Sequence, residues 1–313
     1  MKLANFTLKN QNHLGILLKN GEIICLENLN RINVNAGPIA IFTVHYDPMI
    51  SLISQLPQLQ DSINGLLENI PQSRTKEYDN WRSNSVLLRQ SEVRFLSPIL
   101  KPSKIIAIGL NYMDHCRETG TRPPEDPIVF TKFPNAIIGT GEHIRWKNGV
   151  TSKVDYEAEL GVIIGKRGRE ISAEKAFDHI VGYTALNDVS ARDIQLGDGQ
   201  WVRGKSLDTF CPIGPVIVTK DEIPDPHNLK IQCIVNEQKM QDSSTSEMIF
   251  KIPRLVEFIS RTITLEAGDI IATGTPHGVG MGRKPEKYLQ HGDTVKVVIE
   301  KIGILENKIE VYE

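Results

Sequence analysis

The sequence is short of nearly everything that would place it in a special class. Its four cysteines, Cys25, Cys116, Cys211 and Cys233, stand far apart, with no CxxC pair and no Cys/His zinc spacing. That excludes a disulfide framework and reads as reduced thiols. No apolar run approaches the ~18 residues a membrane span needs. Lys and Arg number 36 against 38 Asp and Glu, a formal charge of −2, and the basic residues form no patch. A nucleic-acid binder is therefore not expected, and neither is a membrane protein. The N-terminus lacks a secretory apolar core and the Arg/Ser-rich character of a transit peptide. A cytoplasmic location is the expectation, or a mitochondrial one for a eukaryotic chain with a processed or atypical start. The glycine-rich stretch at 274–280 is followed by no Gly-Lys-Ser/Thr and opens no helix in the dinucleotide-binding manner. What remains is ordinary globular composition, 40% hydrophobic and 24% charged, over 313 residues. That length holds one large domain or two of ordinary size.

The stretch that stands out is Val154-Asp155-Tyr156-Glu157-Ala158-Glu159-Leu160-Gly161. Read as a strand, it puts Val154, Tyr156, Ala158 and Leu160 on one face and Asp155, Glu157 and Glu159 on the other. Same-face neighbours on a strand lie only about 6–7 Å apart. Their mutual repulsion is small in water and large in a half-buried site unless a cation or protons offset it. Oxygen-only donors suit a hard divalent ion. By itself the octet fits a solvated acidic face equally well.

Elsewhere the pattern is of short strands and helices. Leu14–Leu18 and Glu22–Leu26 flank Asn20-Gly21, a hairpin signal. Apolar residues from Ile50 to Leu67 recur at helical spacing, with Pro57 expected to break or kink the helix. The chain divides into a small N-terminal domain (1–70), a polar linker (71–99) and a larger domain (100–313). In the last, His115 and Glu118 lie three apart, so on a helix they share a face. The pair either orients an imidazole for general-base chemistry or is an incidental surface pair. Gly109 and Gly120 bracket it and would let it move as a lid. Lys205 lies in a loop stiffened by two prolines. Residues 268–280 read as a strand entering a glycine-rich loop, whose amides would approach a small anion.

Six motifs in order carry a resemblance: GLNYMDHCRE (109–118), PIVFTK (127–132), VDYEAELGVIIGK (154–166), GYTALNDVSARDIQ (182–195), GKSLDTFCPIGP (204–215) and GDIIATGTPHGVG (268–280). Together they resemble the fumarylacetoacetate hydrolase family over roughly residues 100–313, most nearly its members acting on oxaloacetate. The resemblance implies an α+β, β-rich fold: a mixed β-roll or sandwich catalytic domain with a small N-terminal α/β domain. It implies Mg²⁺ or Mn²⁺ (Ca²⁺ in crystals) held by Glu157, Glu159 and Asp188, with Asp155 not a ligand. His115 and Glu118 match a mobile catalytic dyad, with Lys205 beside the enolate. Lys132, Arg192, Gln195 and Thr275 match positions lining the substrate pocket. Lys132 is followed here by Phe133-Pro134, a departure from many members that leaves the pocket wall open.

The implied partner is a small 2-oxo acid, and the implied assembly a homodimer or dimer of dimers. The expected activity is enol–keto tautomerisation of oxaloacetate or a similar 2-oxo dicarboxylic acid through a stabilised enolate. Decarboxylation and acylpyruvate-type C–C hydrolysis share that enolate and stand as alternatives. A non-catalytic binding protein on the same scaffold is the remaining one.

Overall fold

The computed structural model describes residues 1–32 and 47–313. One twelve-stranded sheet runs through the chain. Its path is Leu87–Arg89, Glu22–Cys25, Gln11–Leu17, Lys2–Leu8, Cys211–Thr219, Ile180–Asn187, Ala158–Ile164, Ile270–Ala272, Ile105–Gly109 and Ile128–Lys132. Two short strands join off this path. The N-terminal strands enter the sheet through Lys2–Leu8, where Lys2 pairs with Val218 and Leu3 with Ile217. A five-stranded sheet orders Gln238–Ser244, Lys230–Val235, Thr294–Ile299, Gly303–Tyr312 and His143–Lys147. Most neighbours are antiparallel, but Ile270–Ala272 pairs in parallel with Ile105–Gly109. The result is the strand-rich α+β fold expected.

Period-two alternation sorts the side chains of the large sheet to two cores. Leu160, Val162, Tyr183, Val216 and Val218 face one core, shared with Ile231, Cys233, Val295, Val297 and Leu305 of the smaller sheet. Ile163, Ile213, Ile217 and Ile270 face the other. There they meet the helix Pro48–Glu68 through Leu52, Ile53, Leu56, Leu59 and Ile63. Asp47 caps that helix by accepting the Met49 amide at 3.0 Å.

Pro57 does not break the helix, which runs unbroken for 21 residues. The apolar stripe on either side of Pro57 is buried, and that packing outweighs the backbone hydrogen bond the proline forgoes. Residues 71–99 hold the helix Lys76–Ser83, capped by Thr75, and the strand Leu87–Arg89, with Trp81 and Leu87 buried. The expected hairpin forms around Asn20-Gly21, and another turns at Asn236-Glu237, a pair at φ +48° and +66°. No helix among the described residues is long and apolar enough to cross a membrane.

Candidate metal centre and catalytic pocket

The acidic octet does not form one strand. Val154–Asp155 pairs with Ser190–Ala191 in a separate two-stranded ladder, and the large sheet takes up the chain again at Ala158. The break at Tyr156-Glu157 is held from the neighbouring strand end. The Glu157 amide donates to Asn187 Oδ1 at 3.0 Å, and the Asp188 amide donates to the Glu157 carbonyl at 2.9 Å. A solvated acidic face is thereby excluded, because Asp155, Glu157, Glu159 and Asp188 are all buried.

Glu157, Glu159 and Asp188 converge, each offering an oxygen within 4.8 Å of the other two. Two lysines stand among them. Lys205 Nζ donates to Glu157 Oε2 and to Asp188 Oδ2, both at 2.7 Å. Lys132 Nζ donates to Asp188 Oδ1 at 2.7 Å and to the carbonyls of Val189 and Lys205. Arg192 meets Glu157 Oε1 at 2.6 Å and Asp155 Oδ2 at 2.9 Å, and donates to Gln195 Oε1 at 3.0 Å.

This network sets the charge states. Burial pushes the Glu157 carboxyl up, but Lys205 and Arg192 outweigh it and hold it at about 2. Lys205, despite burial, is held in its charged form by Asp188 and Glu157. Among the described residues Glu159 makes no such ion pair, and Lys205 favours its ionised form only weakly. Burial, then Asp188, then Glu157 push its carboxyl well above the usual range, with the Gly274 amide at 2.9 Å the one backbone donor it accepts. A buried all-oxygen set with one carboxylate lacking a cation is what a hard divalent ion fits.

The dyad sits on the helix Met113–Thr119, where His115 Nδ1 lies 3.3 Å from Glu118 Oε2. Glu118 is pushed up by burial, but His115 and the Gly278 amide bring it below its usual value. An ionised carboxylate only accepts, so in the neutral ring Nδ1 carries the proton and Nε2 keeps its lone pair.

The glycine-rich loop after Ile270–Ala272 differs from the expectation. Its amides reach anions belonging to the chain itself: Gly274 to Glu159, Gly278 to Glu118, and Gly280 and Met281 to Asp155 at 2.6 and 3.0 Å. A Cβ at Gly278, which sits at φ +97°, would meet the Met240 carbonyl at 2.2 Å. One at Gly280 would meet Asp155 and the Lys287 carbonyl. The loop is therefore a clamp that ties Glu159, Glu118 and Asp155 together.

A cavity of about 140 Å³ opens on this machinery. His115, Glu157, Glu159, Arg192, Gln195, Lys205 and Thr275 all line it, closed in by Phe130 and Trp201. Asp188 and Glu118 stand behind it, each in contact with a lining residue. Lys132, expected at the substrate, does not line the cavity. It is wholly buried, and its ammonium is spent on Asp188 and two carbonyls. It positions Asp188 and Lys205 instead.

Sequence reading missed three contributors. Asp155 looked like a bystander, yet it accepts Arg192 and two loop amides. Gln241 joins Ala158, Thr275 and Pro276 from the middle of a strand, where no local pattern marks it. Asp114 fastens the dyad helix to Ser243 at 2.5 Å and His277 at 2.8 Å. Its only signal was its place one residue before His115.

Residues 104–310 match the family model described as fumarylacetoacetate (FAA) hydrolase, C-terminal. The chain is 42% identical to oxaloacetate tautomerase YisK of Bacillus subtilis (strain 168), covering 99% of this chain and 100% of that one. It is 49% identical over 225 residues, 71% of each chain, to the mitochondrial oxaloacetate tautomerase FAHD2A of Bos taurus. A solved maleylpyruvate hydrolase from Sphingobium sp. SYK-6, in complex with manganese(II) and pyruvate, superposes with a TM-score of 0.77. The two are 28% identical over all of both chains.

Proposed function

From the premise that this chain belongs to the fumarylacetoacetate hydrolase family, we propose that it is a metal-dependent tautomerase interconverting enol and keto oxaloacetate or a close 2-oxo dicarboxylic acid. The observation that carries the reading is the convergence on one small cavity of a general base, two cationic groups and a carboxylate set fit for a divalent ion. Relatives named oxaloacetate tautomerase at 42–49% identity support it.

Glu157, Glu159 and Asp188 would hold Mg²⁺ or Mn²⁺. When bound, the ion supplies Lewis-acid stabilisation of the negative charge that develops as the C3–H bond breaks. His115 Nε2 takes the C3 proton and delivers it to the C2 oxygen to complete the enol, and the reverse transfer from that O–H to C3 restores the keto form, while Glu118 holds the ring's tautomer and orientation. Lys205 adds fixed positive charge beside the developing oxyanion. Arg192 presents its guanidinium to a substrate carboxylate, and Gln195, whose carbonyl accepts Arg192, turns its amide N–H toward the substrate. Phe130 and Trp201 narrow the pocket. At about 140 Å³ the pocket favours a small acid over a long one.

The test is the decay of enol-oxaloacetate, followed by its near-ultraviolet absorption, with Mg²⁺ or Mn²⁺ and with chelator. Metal-dependent acceleration without pyruvate is expected. No acceleration would sink the tautomerase reading. Pyruvate released at a matching rate would replace it with decarboxylation. Faster turnover of a longer acylpyruvate would replace it with C–C hydrolysis, the chemistry of the Sphingobium relative's name. The expected homodimer rests on exposed Ile128, Val129 and Phe133 along an open sheet edge, and size-exclusion chromatography tests it.

A further inference from the structure

A second set of donor atoms converges far from that cavity, in the N-terminal strands. His13 lies on Gln11–Leu17, Cys25 at the end of the adjacent strand Glu22–Cys25, and Glu27 on the 3₁₀ turn that follows. Strand pairing brings them together, because Gly15 sits opposite Cys25 and the His13 ring stacks on Phe6. One nitrogen, one sulfur and one oxygen then lie within 4.8 Å of one another. The Cys25 Sγ to Glu27 Oε2 distance is 3.6 Å, and His13 Nδ1 to the same oxygen is 3.7 Å.

We propose that His13, Cys25 and Glu27 form a second metal site for a borderline divalent ion of the Zn²⁺ class, separate from the carboxylate set. Three features of the geometry carry this. His13 Nδ1 is sealed from solvent and has no hydrogen-bond partner, a buried polar atom left aimed at the other two donors. Glu27 is already oriented, because its Oε1 accepts the Leu14 amide at 2.8 Å and turns Oε2 toward Cys25 and His13. The spacing also matches a tetrahedral ion. Zinc bond lengths give ligand–ligand edges of about 3.6 Å for S···O and about 3.4 Å for N···O. Closing the site therefore requires shifts of a few tenths of an ångström at most along those two edges.

Mixed N, S and O donors select a softer ion than the all-oxygen centre does. Glu27 is the most exposed of the three, with 31% of its side chain open against 11% for His13, so a water completes the fourth position from its side. Binding releases the Cys25 thiol proton to solvent as the sulfur becomes a thiolate ligand. The ion then staples two strands and a turn that no disulfide holds.

Cobalt(II) tests this on the metal-free full-length chain, because only a sulfur-containing site gives a thiolate-to-cobalt charge-transfer band. Wild type should show the band, and so should Glu159→Gln, which damages only the carboxylate centre. Cys25→Ser should lose it. His13→Ala should weaken cobalt affinity at least about tenfold, since even groups that only orient a ligand cost that much. No band in wild type overturns the site, as does a band that survives in Cys25→Ser. Circular dichroism checks that both variants fold. If the buried serine does not, His13→Ala decides alone, and unchanged cobalt affinity there refutes the proposal.

Discussion

Glu159→Gln is the sharpest perturbation the site offers. Glutamine keeps the size of the side chain, and its carbonyl still accepts the Gly274 amide, so the charge is what changes. In the wild type that charge lies within reach of the Glu157 and Asp188 oxygens, up to 4.8 Å away. At an effective dielectric of about 20, each such pair repels by about 3 kcal/mol. Because the folded state raises the Glu159 pKa, it binds that proton more tightly than the unfolded chain does. Without metal, the wild type therefore loses stability as pH rises from about 4.3 toward the raised folded value.

The glutamine variant has no such loss. At pH 8 in chelator it should be more stable than wild type by about 1–3 kcal/mol, or several degrees in Tm. Metal offsets most or all of that lead. At a concentration 100 times Kd, Mn²⁺ stabilises the wild type by about 2.7 kcal/mol. A hundredfold loss of affinity on removing one carboxylate cuts that gain to about 0.4 kcal/mol. Differential scanning fluorimetry with and without Mn²⁺ reads both effects. A variant less stable than wild type in chelator, yet gaining as much from Mn²⁺, would refute the assignment of Glu159 as the uncompensated ligand.

His115→Ala should lower turnover by about 10²–10⁴ while leaving the Mn²⁺-induced rise in Tm intact; equal loss of both would remove His115 from the base role. Glu118→Gln should lower turnover by disturbing the His115 tautomer. It should also flatten acid unfolding, because Glu118's depressed carboxyl gives stability that is present above about pH 4.3 and lost as pH falls through the lower folded value. A urea-unfolding series between pH 3 and pH 6 shows it, and identical profiles for the two proteins would count against the depressed value. Asp114→Asn, which weakens the contacts to His277 and Ser243, should raise KM more than it lowers kcat if the dyad helix closes over substrate. Unchanged steady-state constants would show that those contacts do not govern closure.

Much of this was legible locally. The turn residues at Asn20-Gly21 and Asn236-Glu237, the alternation of Ile231, Cys233 and Val235, and the i, i+3 spacing of His115 and Glu118 each depend on neighbours a few residues away. For that reason the sequence could specify them alone. The metal set was less local, since Glu157 and Glu159 stood together but Asp188 came only with the resemblance.

What the tertiary structure decided was the assignment of partners. Lys132 moved from the substrate to the back of Asp188, because the strand Ile128–Lys132 ends beside it. Asp155 became the fastening point of the glycine loop, and that loop's amides went to Glu118, Glu159 and Asp155 and not to a ligand. Composition fixed which residues could carry charge or donate a hydrogen bond. Which charge meets which donor across more than a hundred residues of chain is set by sheet order, because only packing brings those groups within hydrogen-bond range and excludes the water that would otherwise satisfy them.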